Sequence, residues 1–170
     1  MTTIQERNMA TLKELFMNLG PGEERFAGAC RKAMTQDVSI YNSGFPVSQG
    51  LEDYIAFYNV LNKTMGYDSN PILQWRNMWA LDNKVFFERN GSAADADGKT
   101  IIDWNVFGIY EFNEEGKIFS IRDYYDNTDN YFIIAKKFGQ EMADRLKATE
   151  VHPLHPDFDP NEKPFLNMQL

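Results

Sequence analysis

The chain has 170 residues, enough for one domain with a substantial core, and its formal net charge at pH 7 is −8. This charge argues against binding to nucleic acid or to an anionic membrane surface, because both need a basic footprint. The amino-terminal residues carry charges where a signal peptide has an apolar core, and no apolar run approaches the length of a membrane span. The single cysteine cannot form an internal disulfide. We therefore expect a cytoplasmic protein.

Three helices are predicted in the amino-terminal third of the chain, because apolar residues recur there at helical spacing. The predicted helices are Thr3–Leu19, which ends at the turn "GPG", Glu23–Thr35 and Leu51–Leu61. The segment "DVSIYNSGFPVSQG" lies between the second and third helices and is predicted to be a short extended piece that breaks into a loop.

From residue 72 the apolar period changes to two, which predicts an antiparallel meander closed by a helix. The predicted strands are Ile72–Leu81, Val85–Ala93, Thr100–Phe112 and Lys117–Tyr125, and the last helix is Asp129–Leu146. Residues 151–170 contain four prolines and should form an extended tail. We expect one domain over residues 1–150, of the α+β class, with the helices on one face of the sheet.

The segment "GKIFSIRDYYD" places an acid on an apolar strand face. Side chains alternate along a strand, so Phe119, Ile121, Asp123 and Tyr125 are predicted to share one face. Burying a lone carboxylate there would cost several kcal/mol. Asp123 is therefore predicted to have a partner or to line a polar hollow inside the sheet.

The strand "VFFERN" supplies the candidate partner, because Val85, Phe87 and Arg89 share a face on which only Arg89 is charged. We expect Arg89 and Asp123 to meet or to flank the same hollow, either as a functional site or as a structural ion pair. On the intervening strand the predicted inward set is Ile102, Trp104, Val106, Gly108 and Tyr110. Asp103 falls on the opposite, outward set.

Other polar residues have two interpretations. Tyr41 and Asn42 are either hydrogen-bonding groups at the floor of the pocket or turn residues. His152 and His155 precede two aspartates, but the prolines between them deny a helix, so we predict no metal site. The tail that carries them is expected to cover the pocket mouth or a neighbouring subunit. No nucleotide-binding fingerprint or serine-hydrolase elbow is present in the sequence, and we predict no cofactor.

The segments "VFFERN" and "GIYEFNEEGKIFSIRDYYD" resemble the nuclear transport factor 2 superfamily, and within it the limonene-1,2-epoxide hydrolase and SnoaL-like cyclase group. The resemblance spans about residues 3–146. It implies a cone-shaped, curved antiparallel sheet that wraps around three to four helices and encloses a deep apolar pocket. It also implies a homodimer, formed through the sheet, or a higher homo-oligomer.

The resemblance assigns roles residue by residue. Asp123 matches the acid of the group, Arg89 the arginine of its R-x-D motif, and Tyr41 the tyrosine that helps to hold a water; the asparagine partner of that tyrosine falls on Asn42 or Ser43. Gly91 stands where the second acid of the motif would be. The candidate substrate-binding residues, from strand faces and resemblance together, are Asn42, Phe87, Trp104, Val106, Ile121, Tyr125, His152 and His155.

With one acid missing, the sequence favours a cofactor-independent lyase or isomerase that works by general acid–base catalysis. The expected substrate is a hydrophobic, aromatic, oxygenated small molecule, for which a lignin-derived diaryl compound that loses formaldehyde is one candidate. One alternative is an epoxide hydrolase in which Asp103 replaces the missing acid. Another is a non-catalytic ligand-binding or scaffold module. A pocket filled by its own side chains would favour the module.

Overall fold

The computed structural model describes residues 3–66, 68, 72–125, 128–148, 152–156 and 158–166. Within these residues there are five helices, namely α1 (Ile4–Asn18), α2 (Glu23–Ala33), α3 (Leu51–Met65), α4 (Thr128–Phe138) and α5 (Gln140–Ala148). The six strands of the same described part are β1 (Met34–Asn42), β2 (Ser48–Gln49), β3 (Ile72–Leu81), β4 (Lys84–Ala94), β5 (Thr100–Phe112) and β6 (Ile118–Tyr124).

Local sequence signals set where the helices begin and end. Thr3 caps α1 in a reciprocal pair of hydrogen bonds with Glu6, which satisfies backbone N–H groups of the first turn. α2 ends at Ala33 because Met34 is already extended, so the predicted end at Thr35 was two residues late. The single predicted helix 129–146 was also wrong. Gly139, with φ of 90°, separates α4 from α5.

The strands of the described chain form one six-stranded sheet in the order β2-β1-β6-β5-β4-β3. The predicted antiparallel meander β3–β6 is confirmed. However, β1 runs parallel to β6, so the sheet is mixed rather than wholly antiparallel. The sheet is curved, and helices α1, α2 and α3 pack on its inner face in the main hydrophobic core. Among the described residues, no helix is long and apolar enough to cross a membrane.

The inner face of the sheet follows the predicted alternation on β4 and β5. Phe87, Arg89 and Val106 are buried, whereas Asp103 is exposed. On β6 the prediction for Phe119 was wrong. Glu111 and Phe112 of β5 pair with Ser120 and Ile118, so Phe119 is the extra residue of a β-bulge on β6. Ile118 is buried and Phe119 is 36% exposed.

Gly108 gives the inner face room for an aromatic ring. It pairs with Phe87 on β4, and a Cβ atom built on Gly108 would lie 2.0 Å from Cζ of the Phe87 ring. That ring in turn contacts Phe16, Trp75 and Tyr110. The glycine is needed for the close approach of a side chain, not of a ligand.

We predict that Gly108→Ala lowers the free energy of unfolding by about 1–3 kcal/mol, because the added methyl group displaces a tightly packed ring. Urea denaturation would measure the change. Gly28→Ala is the matched control, since nothing lies within 4 Å of its added Cβ and alanine favours the helix by about 1 kcal/mol. If both variants unfold at the same urea concentration, the steric role of Gly108 is refuted.

Candidate active site

Asp123 lies on the inner face of β6 and is only 6% exposed. Its neighbours across the sheet are Asn42 on β1 and Gly108 on β5. The end of β6 is fixed by Ser43. The backbone N–H of Ser43 donates to the carbonyl oxygen of Asp123 (2.9 Å), and Ser43 Oγ exchanges hydrogen bonds with the backbone of Tyr125. These bonds hold the carboxylate at the junction of three strands.

Arg89 is the charged partner of Asp123, as the sequence predicted. Its Nη2 atom lies 3.9 Å from Asp123 Oδ2, within ion-pair range and beyond hydrogen-bond range. The guanidinium carbon lies 4.7 Å from the centre of the Phe16 ring, which contributes a cation–π contact. Both side chains of the ion pair are about nine-tenths buried, with exposures of 10% and 8%.

Gly91 determines where the guanidinium lies. A Cβ atom built on Gly91 would be 2.4 Å from Arg89 Nη1 and 3.4 Å from Trp104 Nε1. Any side chain at position 91 would therefore displace the guanidinium. Gly91, at the position where the resemblance would place a second acid, leaves the space that Arg89 occupies.

The hydrogen bonding of the ion pair is incomplete. The Tyr110 hydroxyl donates to Asp123 Oδ2 at 3.2 Å. Asp123 Oδ1 and Arg89 Nε are buried and have no hydrogen-bond partner among the described residues. A buried polar atom without a partner costs about 1–3 kcal/mol, so this arrangement is a poor structural ion pair and leaves groups available to a ligand.

Burial also changes the protonation of the site. Desolvation raises the pKa of Asp123 from 3.8 to about 6, although Arg89 and the Tyr110 hydrogen bond oppose the rise. Burial likewise raises the pKa values of Tyr54 and Tyr110, so both phenols stay neutral near neutral pH. The carboxyl group can therefore gain or lose a proton close to neutral pH, as a general acid or base requires.

The cavity next to Asp123 has a volume of about 70 Å³. Its walls come from all layers of the fold and consist of Phe16, Leu19, Phe26, Asn42, Phe45, Tyr54, Phe57, Leu61, Arg89, Trp104, Tyr110, Asp123 and Tyr125. Ligand pockets usually measure about 300–1,000 Å³, so this space is small. A water molecule needs about 10–15 Å³ on this measure, so the cavity admits only a few non-hydrogen atoms.

The structure brings five of the predicted residues to the cavity wall, which are Asp123, Arg89, Asn42, Trp104 and Tyr125. The rings of Trp104 and Tyr125 stack with centres 5.9 Å apart and form one aromatic side of the cavity. Phe87, Val106 and Ile121 are almost fully buried in the main core behind the wall. They support the wall and are not among the residues that line the cavity.

Tyr41, His152 and His155 are not brought to the cavity. Tyr41 neighbours Asn42 on β1, and adjacent strand residues face opposite sides, so the two predicted floor residues could not both point inward. The Tyr41 ring contacts His152, with ring centres 4.8 Å apart, and the Tyr124 hydroxyl lies 3.1 Å from His152 Nε2. His155 is exposed. The residues that line this cavity therefore do not include Tyr41, His152 or His155.

Eight of the cavity-lining residues were not predicted from the sequence as site residues, among them Tyr110, Tyr54 and Phe16. Tyr110 was placed on the inward face but not next to the acid, although the pairing of β5 with β6 would have indicated it. Tyr54 and Phe16 come from α3 and α1, and no strand pattern reveals which helix residues face a sheet. Asp103 is exposed, and no second carboxylate lines the cavity among the described residues. The described part of the chain contains no group of three or more His, Cys, Asp or Glu residues that could hold a metal ion.

Comparisons with solved structures identify the fold. A protein assigned as a SnoaL-like polyketide cyclase from Jannaschia sp. CCS1 aligns over 79% of this chain and 96% of its own, with a TM-score of 0.62 and 20% identity. An NTF2-like protein of unknown function from Burkholderia pseudomallei aligns over 75% and 97%, with a TM-score of 0.60 and 14% identity. The chain has the nuclear transport factor 2-like fold.

Another neighbour with this NTF2-like fold is an LEH-like epoxide hydrolase from M. tuberculosis, which covers 84% of this chain and 99% of its own length at 16% identity and a TM-score of 0.58. No protein-family model and no curated protein matches the chain. At these identities the neighbours establish the fold, and the predicted resemblance is confirmed at that level.

We predict that Asp123→Asn stabilises the protein at pH 8 relative to the wild type, and that the difference disappears at pH 4. The folded-state pKa of Asp123, about 6, lies above its ordinary value of 3.8. Between these values the folded state binds more protons than the unfolded state, so wild-type stability falls as the pH rises. Asparagine stays neutral, so the variant keeps the free energy of unfolding that the wild type loses as the pH rises. This difference amounts to about 2–3 kcal/mol.

Chemical denaturation of both proteins from pH 4 to pH 8 would measure the difference. Asp103→Asn is the control, because Asp103 is exposed and its replacement should leave the pH dependence unchanged. If Asp123→Asn is the less stable protein at pH 8, the ionised acid stabilises the fold as a structural ion pair.

Proposed function

We propose that the protein is a cofactor-independent enzyme, a lyase or isomerase, that exchanges a proton with a hydrophobic, oxygenated small molecule. The observation that carries the proposal is one buried carboxyl group beside a cavity, with one unpartnered oxygen atom and a pKa of about 6. Most buried polar side-chain atoms have a hydrogen-bond partner, so an unpartnered carboxylate oxygen at a cavity wall supports a role in ligand binding. Asp123 is the acid–base residue in this proposal.

As a base, ionised Asp123 takes a proton from the substrate. In an isomerisation it removes a proton from a carbon next to a carbonyl group, the C–H electron pair forms a carbon–carbon double bond, and the carbonyl π pair moves to oxygen. When the substrate has a β,γ double bond, the oxygen pair then re-forms the carbonyl group, the double bond shifts to the α,β position, and the displaced pair takes the proton back from Asp123 at the γ-carbon. In a lyase reaction it takes the proton of a hydroxymethyl group, the O–H pair forms formaldehyde as the C–C bond breaks, and the released pair enters an electron-accepting substrate group. Neither sequence needs an oxidant or reductant.

Arg89 is proposed to bind the oxygen atom on which negative charge develops. Its Nε–H group is buried without a partner, and its Nη2 atom is too far from Asp123 for a hydrogen bond. A fixed guanidinium in a site of low dielectric stabilises an oxyanion more strongly than water does. The Tyr54 hydroxyl group, which also belongs to the cavity wall, could donate to a second substrate oxygen.

The cavity wall supports an aromatic or otherwise flat substrate. Trp104 and Tyr125 form one side, and Phe45 and Phe57 contribute to another. The volume of about 70 Å³ holds the reacting end of such a molecule. A diaryl compound would need wall side chains to move.

Each alternative function has observations that bear on it. An epoxide hydrolase of the two-acid type lacks support for two reasons. Asp103 is exposed, and the Arg89 guanidinium occupies the space that a side chain at position 91 would need. A non-catalytic module is favoured by the small cavity volume. The unpartnered, titratable Asp123 favours the enzyme.

Asp123→Asn should reduce turnover by about 10²–10⁴ while the protein stays folded, because the amide cannot exchange a proton near neutral pH. Candidate substrates are hydroxymethyl diaryl compounds, assayed by formaldehyde release, and aryl ketones, assayed by exchange of the α-proton with deuterium from solvent. Asp103→Asn should keep wild-type activity. Dialysis against a chelator should also leave activity unchanged.

The pH profile supplies a further criterion for the same residue. With Asp123 as the base, kcat/KM should fall below pH 6, as the carboxyl group becomes protonated. Substantial turnover by Asp123→Asn, or a loss of activity that only follows loss of folded protein, would reject Asp123 as the acid–base residue. A wild type that turns over none of these compounds but binds them would support the non-catalytic module.

A homodimer through the outer face of the sheet is part of the proposal. Trp79 is 47% exposed there, stacks on Phe86 and contacts Phe107, which is 40% exposed. Exposed aromatic clusters of this kind mark interaction surfaces, and a two-fold axis lets one patch meet its own copy.

Trp79→Lys should shift the protein from dimer to monomer in sedimentation experiments, because it places a charge in the apolar contact. Phe132→Lys is the control, since Phe132 is 67% exposed on α4, away from this patch. A wild-type protein that sediments as a monomer, or a Trp79→Lys variant that stays dimeric, contradicts this interface.

A further inference from the structure

Residues 163–166 of the tail are fixed to α3 by a buried carboxylate that has no part in the proposed chemistry. Asp53 on α3 is 1% exposed. Its Oδ1 atom accepts hydrogen bonds from the backbone N–H groups of Phe165 (3.1 Å) and Leu166 (2.9 Å), and its Oδ2 atom accepts one from Gln49 (3.0 Å). One side chain thus joins the tail, the start of α3 and the strand β2 that precedes it.

A second contact holds the same segment. The Lys163 ammonium group donates to the carbonyl oxygen of Gln49. A Cβ atom on Gly50 would lie 3.0 Å from Lys163 Nζ, so the glycine leaves room for the lysine. The attachment therefore has a defined position along the tail.

This attachment places Phe165 behind the cavity wall. Phe165 is 3% exposed, and its ring centre lies 4.7 Å from that of Phe57. Phe57 contacts Phe45 and Tyr54, with ring centres 5.2 Å and 6.0 Å away, and all three line the cavity. Phe165 itself is not among the lining residues, so it acts on the cavity through Phe57.

We propose that Phe165 is a specificity-determining residue, which limits the size of the ligand by preventing Phe57 from moving away from the cavity. The inference rests on the proposed function in so far as that function makes this cavity the ligand site. With Phe57 held, about 70 Å³ is open to a ligand. When Phe165 is removed, Phe57 gains a space the size of a phenyl ring into which it can turn.

The volumes set the expected selectivity. An apolar cavity of about 150 Å³ takes up benzene, so the wall of the wild-type cavity must move for a phenol ring to enter fully and must move further for a bicyclic ring. The tail segment therefore selects for substrates that place a narrow group beside Asp123.

The test compares binding of phenol and 2-naphthol to the full-length wild type, Phe165→Ala and Leu166→Ala. Leu166 is the matched control, because its backbone also donates to Asp53 while its side chain is 54% exposed. Binding is measured by calorimetry and located by the indole N–H resonance of Trp104, which lines the cavity. The resonance of Trp79, on the outer face, should not move.

Phe165→Ala should increase the affinity for 2-naphthol relative to phenol at least tenfold over the wild type, with a shift of the Trp104 resonance, and Leu166→Ala should leave the ratio unchanged. If Phe165→Ala does not fold, Phe165→Leu supplies the same comparison with a smaller increase. A folded variant at position 165 that binds the two probes in the wild-type ratio overturns the proposal.

The same measurements in an Asp123→Asn background separate this proposal from the proposed function. Probe binding needs no proton transfer, so the change in ratio should persist there. If Asp123→Asn turns over substrate while Phe165→Ala has an altered ratio of probe affinities, the catalytic role of Asp123 is rejected and the role of Phe165 stands. If Asp123→Asn is inactive and Phe165→Ala keeps the wild-type ratio of affinities, the role of Phe165 is rejected and the catalytic role of Asp123 stands.

Discussion

The contact between Asp123 and Arg89 across the inner face of the sheet is the interaction around which this molecule is organised. Two charges are almost completely removed from water, yet they are 3.9 Å apart and share no hydrogen bond. Such a pair costs more desolvation free energy than its attraction returns, unless a third group completes it. The surrounding structure, including Gly91 beside the guanidinium and the Tyr110 hydroxyl beside the carboxylate, fixes the pair in this open arrangement.

The aromatic residues around the pair explain how the arrangement is maintained. The ring of Phe16 stabilises the cation without accepting a conventional hydrogen bond from it, and the Nε–H group of Arg89 has no partner among the described residues. Trp104 and Tyr125 stack on each other and form the other side of the site. The result is a site in which a ligand oxygen would meet a cation and an exchangeable proton within a few ångströms. The small volume of the cavity, and not the polarity of the site, limits the size of the ligand that it can hold.

Much of the fold could be predicted because it depends on backbone periodicity. Side chains alternate along β4 and β6, so the sequence of each strand is enough to place Arg89 and Asp123 on the inner face. The same rule, applied to β1, excludes Tyr41 once Asn42 is inward, and Gly139 is a visible end for α4. The bulge beside Phe119 could not be predicted, since it depends on how two strands pair. The contributions of Phe16 and Tyr54 also required the docked positions of their helices, which are set by packing over the whole core.

The parallel pairing of β1 with β6 has a consequence for how the site is assembled during folding. Ser43 and Tyr125, which join these strands, are 82 residues apart in the chain. The meander β3–β6 is made of local hairpins and can form early, whereas closing so long a loop is entropically costly and slow. Until β1 docks, Asp123 lies on the edge strand of that meander and is still hydrated. Desolvation of the acid, and with it the shifted proton affinity, therefore requires this long-range pairing of β1 with β6.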